Sequence, residues 1–354
     1  MKIKIQKTLI ENALTKSIPF LNTKDNSNVV SNVQIVAIDG IVTIAATDYD
    51  MGLLTTLKEV DILTDGSAIA NGQKLLGIIK ILKNDFITIE SKKDILHITQ
   101  GKSKFKTPIL SEVFPAFPNN ESQIKISIDS NLMIESFRKI TPTVDINNPK
   151  FELNGALVDI KKDCVDFAST DIKRLSYVSI PNVSENELSM IVPKKAVIEI
   201  QKLFDNDVDI YCGDVYMIIK SDRFSFFTKL VAGKFPDYKR VIPKSFNHTL
   251  TINKFAMIEN IKQIAAISSE IKMSFNSDGI VLESHTNDNN EARTEFDLPN
   301  DIPIDMIICM NSKFILDFLN TIYSDTFEFN IVESNMPFVL KSDDLMTIIM
   351  PIVI

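Results

Sequence analysis

The apolar positions of this chain alternate in a short run and then switch to a spacing of three and four. The switch occurs three times, in MKIKIQKTLIENALTKSI from Met1, IKISIDSNLMIESFRKI from Ile124 and HTLTINKFAMIENIKQI from His248. Alternation predicts a half-buried strand, and the wider spacing an amphipathic helix. Each helical stretch carries a glutamate (Glu11, Glu135, Glu259) at what reads as one repeated position. A strand pair bent around a turn follows in each copy. Asp39-Gly40 and Asp278-Gly279 stand between alternating flanks, which predicts hairpins whose glycine takes a positive φ. Thr47-Asp48 and Thr170-Asp171 close the hairpins of copies one and two. Then comes a second helix, GQKLLGIIKILK, PKKAVIEIQKLF or NSKFILDFLNTI, with Lys74, Lys195 and Lys313 in equivalent places, and further alternating strands. Repetition on this scale sets the architecture before any motif does. The expectation is an α+β fold with antiparallel sheets, in three tandem domains over 1–120, 121–245 and 246–354.

Composition changes this picture little. The proportions, 45% hydrophobic and 24% charged, are those of an ordinary soluble protein. No apolar run approaches the roughly 20 residues of a membrane helix, and MKIKIQ lacks the apolar core of a secretory signal. Cys164, Cys212 and Cys309 are odd in number and far apart, so reduced thiols in a cytosolic protein are expected.

Candidate chemistry is sparse. His97, His248 and His285 fall at unrelated positions of different copies, which argues against a histidine metal site or triad. There is no CxxC pair, phosphate loop or dinucleotide fingerprint. The repeated Thr-Asp could suggest paired carboxylates for a nucleic-acid-processing enzyme. Nothing adjacent would tune an acid or base, and Asp48 and Asp171 are expected to accept backbone N–H bonds at strand ends. No catalytic residue, cofactor or metal is therefore expected.

Charge is distributed unevenly. Six helical segments, 7–16, 73–83, 130–141, 193–203, 253–263 and 312–322, carry thirteen Lys and Arg against five Asp and Glu. They are net +8 within a chain whose total is −8. Lysines commonly decorate solvent-facing helix sides. Six equivalent helices lining one surface would instead draw a polyanion to that surface and repel it elsewhere.

The second copy contains LNGALVDI, ASTDIKRLS, IVPKKAVIEI and KLVAGKFPDYKRVIPK, and the chain ends IIMPIVI. These segments resemble the bacterial sliding clamp, the β subunit of DNA polymerase III, and the resemblance runs through all three copies in order. It implies a three-domain chain that pairs head to tail into a closed homodimeric ring of six domains, helices lining the hole and sheets forming the rim. Such a ring encircles double-stranded DNA without regard to sequence and slides along it. It is non-catalytic and is opened and closed by an ATP-driven clamp loader. It tethers the alpha subunit of the replicative polymerase and other proteins that carry a clamp-binding motif, and works in the cytoplasm at the nucleoid.

The same resemblance carries over three sets of residues. A pocket for a short peptide, typically glutamine followed by leucines and phenylalanine, maps to Leu153, Thr170, Ile172, Lys173, Arg174, Leu175, Pro236, Arg240, Val241, Ile348, Met350 and Pro351. Many members have Gly-His where this chain has Ile172-Lys173, and Met-Arg-Leu where it ends Ile352-Val353-Ile354. DNA contacts map to Lys24, Lys74, Asn147, Lys150, Lys194 and Lys195; Phe151-Glu152 stands where members often have an aromatic pair. The ring interface would join the first domain of one chain to the third of another. Lys102, Lys104 and Lys106 would face Glu295, Asp297, Asp301 and Asp305, with Phe105 and Ile267 packed centrally.

Overall fold

A computed structural model describes residues 1–22, 29–121, 123–205, 207–285, 291–304 and 306–353. Lys24 and Asp305, both named above, lie outside the described residues. The helices are α1 (Lys7–Ser17), α2 (Gly72–Ile81), α3 (Ser130–Ile140), α4 (Lys194–Leu203), α5 (Lys254–Ala265) and α6 (Ser312–Thr321). Each lies within two residues of its predicted segment.

The apolar stripe sets how each helix sits. α1 buries Ile10, Ala13, Leu14 and Ser17, α3 buries Met133, Ser136, Phe137 and Ile140, and α5 buries Met257, Asn260, Ile261 and Ile264. The spacing i, i+3, i+4, i+7 is common to all three, and each fully buried large aliphatic contributes roughly 2 kcal/mol. In this frame Glu135 and Glu259 follow Met133 and Met257 by two residues, whereas Glu11 follows Ile10 directly. The three glutamates are therefore not one repeated position; Glu11 is turned by about 100° from the other two. Lys74, Lys195 and Lys313 are all exposed in the first turn of α2, α4 and α6, but Lys74 and Lys195 directly precede buried Leu75 and Ala196, whereas Lys313 stands two residues before buried Ile315 and so is not at the equivalent place.

The chain divides into two compact units, one of Met1–Asn131 with Glu199–Leu230 and the other of Leu132–Ile198 with Val231–Ile354. In the first, a five-stranded sheet runs in the order Asp61–Thr64, Lys2–Gln6, Phe86–Lys92, Ile95–Gln100, Ser103–Pro108. Its eight-stranded sheet has Phe224–Lys229 of copy two beside Met51–Leu57 of copy one, Phe226 opposite Leu53. In the second unit, Arg174–Pro181 of copy two pairs with Leu345–Ile349 of copy three inside another eight-stranded sheet, Ser176 opposite Thr347. A four-stranded sheet there runs Arg293–Asp297, Gly279–Ser284, Glu270–Phe275, Ile307–Asn311. All of these pairings are antiparallel. α1 packs on α2 in the first unit and α5 on α6 in the second. No described helix is long and apolar enough to cross a membrane.

The two Asp-Gly turns are built differently. Asp39 and Gly40 have φ of 51° and 79°, the doubly left-handed turn that the dipeptide predicts. Gly279 does not take a positive φ. There the Asn276 side chain accepts from the amides of Asp278 (2.9 Å) and Gly279 (2.7 Å) to make the turn. A Cβ on Gly279 would stand 2.4 Å from the Phe296 carbonyl oxygen, so close approach of backbones, not φ, requires glycine at that position.

Candidate binding groove and its neighbours

The second unit carries a groove of about 690 Å³. The strand ends Thr170, Arg174, Leu175 and Ile348 meet there with Leu153, Met350 and the irregular segment 235–245. Its floor is the outer surface of a core cluster that includes Leu153, Leu157, Leu175, Phe235, Tyr238, Val339 and Ile348. Its rim is apolar yet exposed: Ile172 is 64% exposed, Val241 53%, Met350 48% and Met336 47%. Aliphatic and thioether walls with a few polar fixings suit a short apolar peptide. A larger concavity of about 830 Å³ in the first unit is lined mainly by charged and polar side chains, among them Lys16, Asp205, Asp209, Lys220 and Arg223. It offers an incoming chain little apolar burial, so volume alone does not single it out.

Of the residues expected at the groove, Leu153, Thr170, Ile172, Arg174, Leu175, Pro236, Arg240, Val241, Ile348 and Met350 line it together. Lys173 and Pro351 are not among the lining residues; the Lys173 carbonyl accepts the Met350 amide at 2.9 Å. Four things were not foreseen, the first being that Phe235, Asp237 and Tyr238 line the groove beside Pro236. Lys150, expected at DNA, lines the groove, as do residues 242–245 and the turn residues Val332, Met336 and Pro337 of copy three. The signal for that turn was present: Met-Pro in SNMPF, apolar residues in a polar turn between alternating strands.

The Thr-Asp pairs act on the backbone, as expected. Asp48 Oδ1 accepts from the amides of Asp50 (3.1 Å) and Met51 (2.9 Å), and Asp171 Oδ1 from Lys173 (3.2 Å) and Arg174 (3.0 Å). Thr47 and Thr170 each donate to the carbonyl four residues on, Met51 at 2.9 Å and Arg174 at 2.7 Å. Both turns force a bulky residue into the left-handed region, Tyr49 at φ 73° and Ile172 at φ 75°. For β-branched Ile172 this is costly, by about 1–3 kcal/mol. A glycine at this place would relieve it.

Arg174 lies beneath the groove, only 4% exposed. Its Nε donates to Asp171 Oδ2 at 2.9 Å, one terminal nitrogen to Asp317 Oδ2 at 2.8 Å and the other to the Pro142 carbonyl at 2.9 Å. Its guanidinium also stands 4.3 Å over the Phe314 ring. The planar fork thus joins copy two to α6 of copy three.

Behind the groove, Asp166 is fully buried. Its Oδ1 accepts from Tyr177 Oη at 2.8 Å and Ser179 Oγ at 2.7 Å. Its Oδ2 accepts from Tyr238 Oη at 2.8 Å, from Lys239 at 3.1 Å and from Lys161. Burial works to raise the carboxyl pKa, but the donors, Lys161 first, outweigh it and hold Asp166 well below the usual carboxylate range. Burial and the bond to Asp166 push the Tyr238 phenol up.

The expected DNA-contact residues have varied surroundings. Lys74 is exposed, its amide capped by Asn71 Oδ1 at 2.9 Å. Lys195 and Asn147 are exposed. Lys194 is half-buried and donates its ammonium to the Val144 carbonyl; burial, then the nearby Lys313 charge, lowers its pKa. The expected interface residues stand on two sheet edges. Ser103–Pro108 exposes Lys104 and Lys106 on either side of half-buried Phe105, with Lys102 just before it. Arg293–Asp297 exposes Glu295 and Asp297 on either side of half-buried Phe296. Ile267 is 47% exposed, in the turn after α5. Among the described residues, no three His, Cys, Asp or Glu gather as a metal site requires.

Comparison with known proteins agrees with this architecture. Profiles of the DNA polymerase III beta subunit match in order: N-terminal domain at residues 1–118, central domain at 127–237 and C-terminal domain at 239–353. The beta sliding clamp of Helicobacter pylori is 32% identical over 351 residues, covering 96% of this chain and 94% of that protein. The crystal structure of the Helicobacter pylori beta clamp bound to a DNA ligase peptide superposes with a TM-score of 0.94 at 31% identity, over 100% of both chains. The DNA polymerase III subunit beta of Pseudomonas aeruginosa shares the fold, with a TM-score of 0.93 at 23% identity over 100% of both chains. Three consecutive profiles spanning nearly the whole chain, and a relative at this identity and coverage, settle the family: the chain belongs to the DNA polymerase III beta subunits, the bacterial beta sliding clamps.

Proposed function

We propose that two copies of this chain close head to tail into a ring around duplex DNA and act, without catalysis, as the processivity clamp of a replicative polymerase. The groove holds a short linear motif of the polymerase alpha subunit, the clamp loader and other partners. The observation that carries the reading is the groove itself, with an apolar floor, an exposed apolar rim and Lys150 and Arg240 beside it. The relative bound to a DNA ligase peptide supports it. The work is done in the cytoplasm, at the nucleoid.

A topological link needs little affinity. Base contacts would pin a ring, whereas loose contacts to phosphate let it move. Exposed lysines such as Lys74 and Lys195, flexible point charges, suit that task. Lys194, turned to a carbonyl, contributes to the local field more than to direct contact. At the ring joint, the edge strands 103–108 and 293–297 would add to one another, Lys104 and Lys106 facing Glu295 and Asp297. Exposed ion pairs set register more than energy there.

The test is a fluorescence-anisotropy titration of a labelled Gln-Leu-Ser-Leu-Phe peptide against the intact chain and against a version lacking residues 350–354. Saturable binding that is lost on truncation is expected. No binding to the intact chain would overturn the peptide-groove reading.

A further inference from the structure

The groove has one wall whose support is unusual. Segment 235–245 supplies about half of the lining residues, yet it belongs to no sheet. Among the described residues, its backbone N–H bonds to carbonyls are Arg240 to Asp237 and Ile242 to Lys239, both long at 3.4 Å and both within the segment. Nothing in the backbone ties this wall to the strands behind it. Two side chains do. Tyr238 turns inward, its ring 5.7 Å from that of Tyr177 and 6.4 Å from that of Phe235, and its hydroxyl meets Asp166. Lys239 reaches the same carboxylate oxygen. Asp166, on strand Cys164–Thr170, is also held by Tyr177 and Ser179 on the neighbouring strand and by Lys161 on the adjoining hairpin turn. Asp166 is thus the buried polar anchor of an irregular wall on a rigid sheet, beside longer contacts of Tyr238 Oη with Asp159 Oδ2 and Lys161 Nζ, both at 3.4 Å, and the apolar packing of Phe235 and Ile242.

We infer that Asp166 is a positioning residue for partner binding, fixing from behind, through Tyr238 and Lys239, the wall of the groove that a partner peptide meets. This rests on the reading of the groove as a peptide site. A buried anion with five N–H and O–H donors, and the weaker Cys164 thiol at 3.9 Å, has one low-energy arrangement, and releasing one donor leaves the others poorly matched. With the anchor weakened, the wall samples other positions. Apparent affinity then falls with the fraction of molecules whose wall is in place. Affinity should therefore drop without loss of the fold.

The experiment uses the full chain and the labelled Gln-Leu-Ser-Leu-Phe peptide, with hydrogen exchange of the free protein as a second readout. The variants are Asp166→Asn, Tyr238→Phe and Lys239→Met. Tyr238→Phe removes one oxygen and keeps the ring. Val165→Ala, on the same strand and fully buried, is the stability control because it leaves every Asp166 bond in place. We expect Asp166→Asn and Tyr238→Phe to weaken binding ~10-fold, from a wall in place about a tenth of the time. Exchange should quicken across 238–242 while the strand pairing of 164–170 with 174–181 stays protected. Val165→Ala, which lowers the melting temperature, should leave affinity within about twofold. Unchanged affinity and exchange in all three anchor variants would overturn the inference. So would weakening that tracks melting temperature equally in Val165→Ala. Failure of the unmodified chain to bind the peptide would instead sink the groove reading itself. If Asp166→Asn does not fold, Tyr238→Phe and Lys239→Met decide alone.

Discussion

Replacing Arg174 by alanine should lower stability by about 3 kcal/mol, at the low end of what breaking a buried ion pair costs. Three hydrogen bonds to or from charged groups are lost, each worth about 1.5–3 kcal/mol, together with the cation stacked 4.3 Å over Phe314. Part of this is recovered. Asp171 keeps the backbone amides of Lys173 and Arg174 at 3.2 and 3.0 Å, and Asp317 keeps Lys313 at 3.4 Å. Both carboxylates are already partly wet, 21% and 24% exposed, and will hydrate further. The Pro142 carbonyl simply loses its donor. For a cooperative unit of this size the loss corresponds to a melting temperature lower by roughly 6–12 °C. Arg174→Lys should recover only about 1 kcal/mol, since an ammonium cannot meet three partners in a plane. Thermal unfolding by circular dichroism measures both. A double-mutant cycle with Asp317→Ala should give a coupling of about 1–3 kcal/mol. A loss below about 1 kcal/mol with no coupling would refute the view that this fork joins α6 to the groove floor.

Three further outcomes follow from other parts of the molecule. Ile172→Gly should raise the melting temperature, by relief of about 1 kcal/mol of left-handed strain, while lowering peptide affinity through loss of an apolar rim residue; a destabilised variant would contradict the strain argument. The pKa of Asp166 is depressed in the folded chain, so its stabilisation is complete above about pH 5, where the unfolded carboxyl is also ionised, and fades as pH falls below about 4 towards the folded value. The stability gap between the unmodified chain and Asp166→Asn should therefore be flat from about pH 5 to 8 and narrow below about 4 in denaturant titrations. Reversing Lys104 and Lys106 together to glutamate should shift sedimentation at micromolar protein towards a single 39.8 kDa chain, and a mass that does not change would remove these lysines from the interface.

The helices were legible because periodicity is local: six apolar stripes in sequence became six helices. Glu11 misled because a surface residue is free to drift by one position, whereas Ile10, Ala13 and Leu14 are held by the core. The Asp39-Gly40 turn was legible from its dipeptide, but Asp278-Gly279 was assigned the wrong cause. Its glycine answers to the Phe296 carbonyl on another strand, and no local pattern reports that approach. The sharing of sheets between copies, Phe224–Lys229 with Met51–Leu57 and Arg174–Pro181 with Leu345–Ile349, was likewise invisible, because alternation marks a strand without naming its partner. Most of the groove was expected only through resemblance to a family. Composition and periodicity would not have gathered Leu153, Thr170, Val241 and Met350, which come from four separate parts of the chain. Asp166 was missed for a similar reason: an aspartate on a strand usually faces water, and here its donors converge only in the fold.

The central claim is a topological link, and retention on DNA circles tests it most directly. The chain would be loaded with its clamp loader onto a nicked circular plasmid, washed at high salt, and the plasmid then cut once. A ring that encircles DNA stays through the wash and leaves when the circle is opened, because a link, unlike ionic attraction, is indifferent to salt. Loss during the wash, or retention on the linear product, would contradict the account.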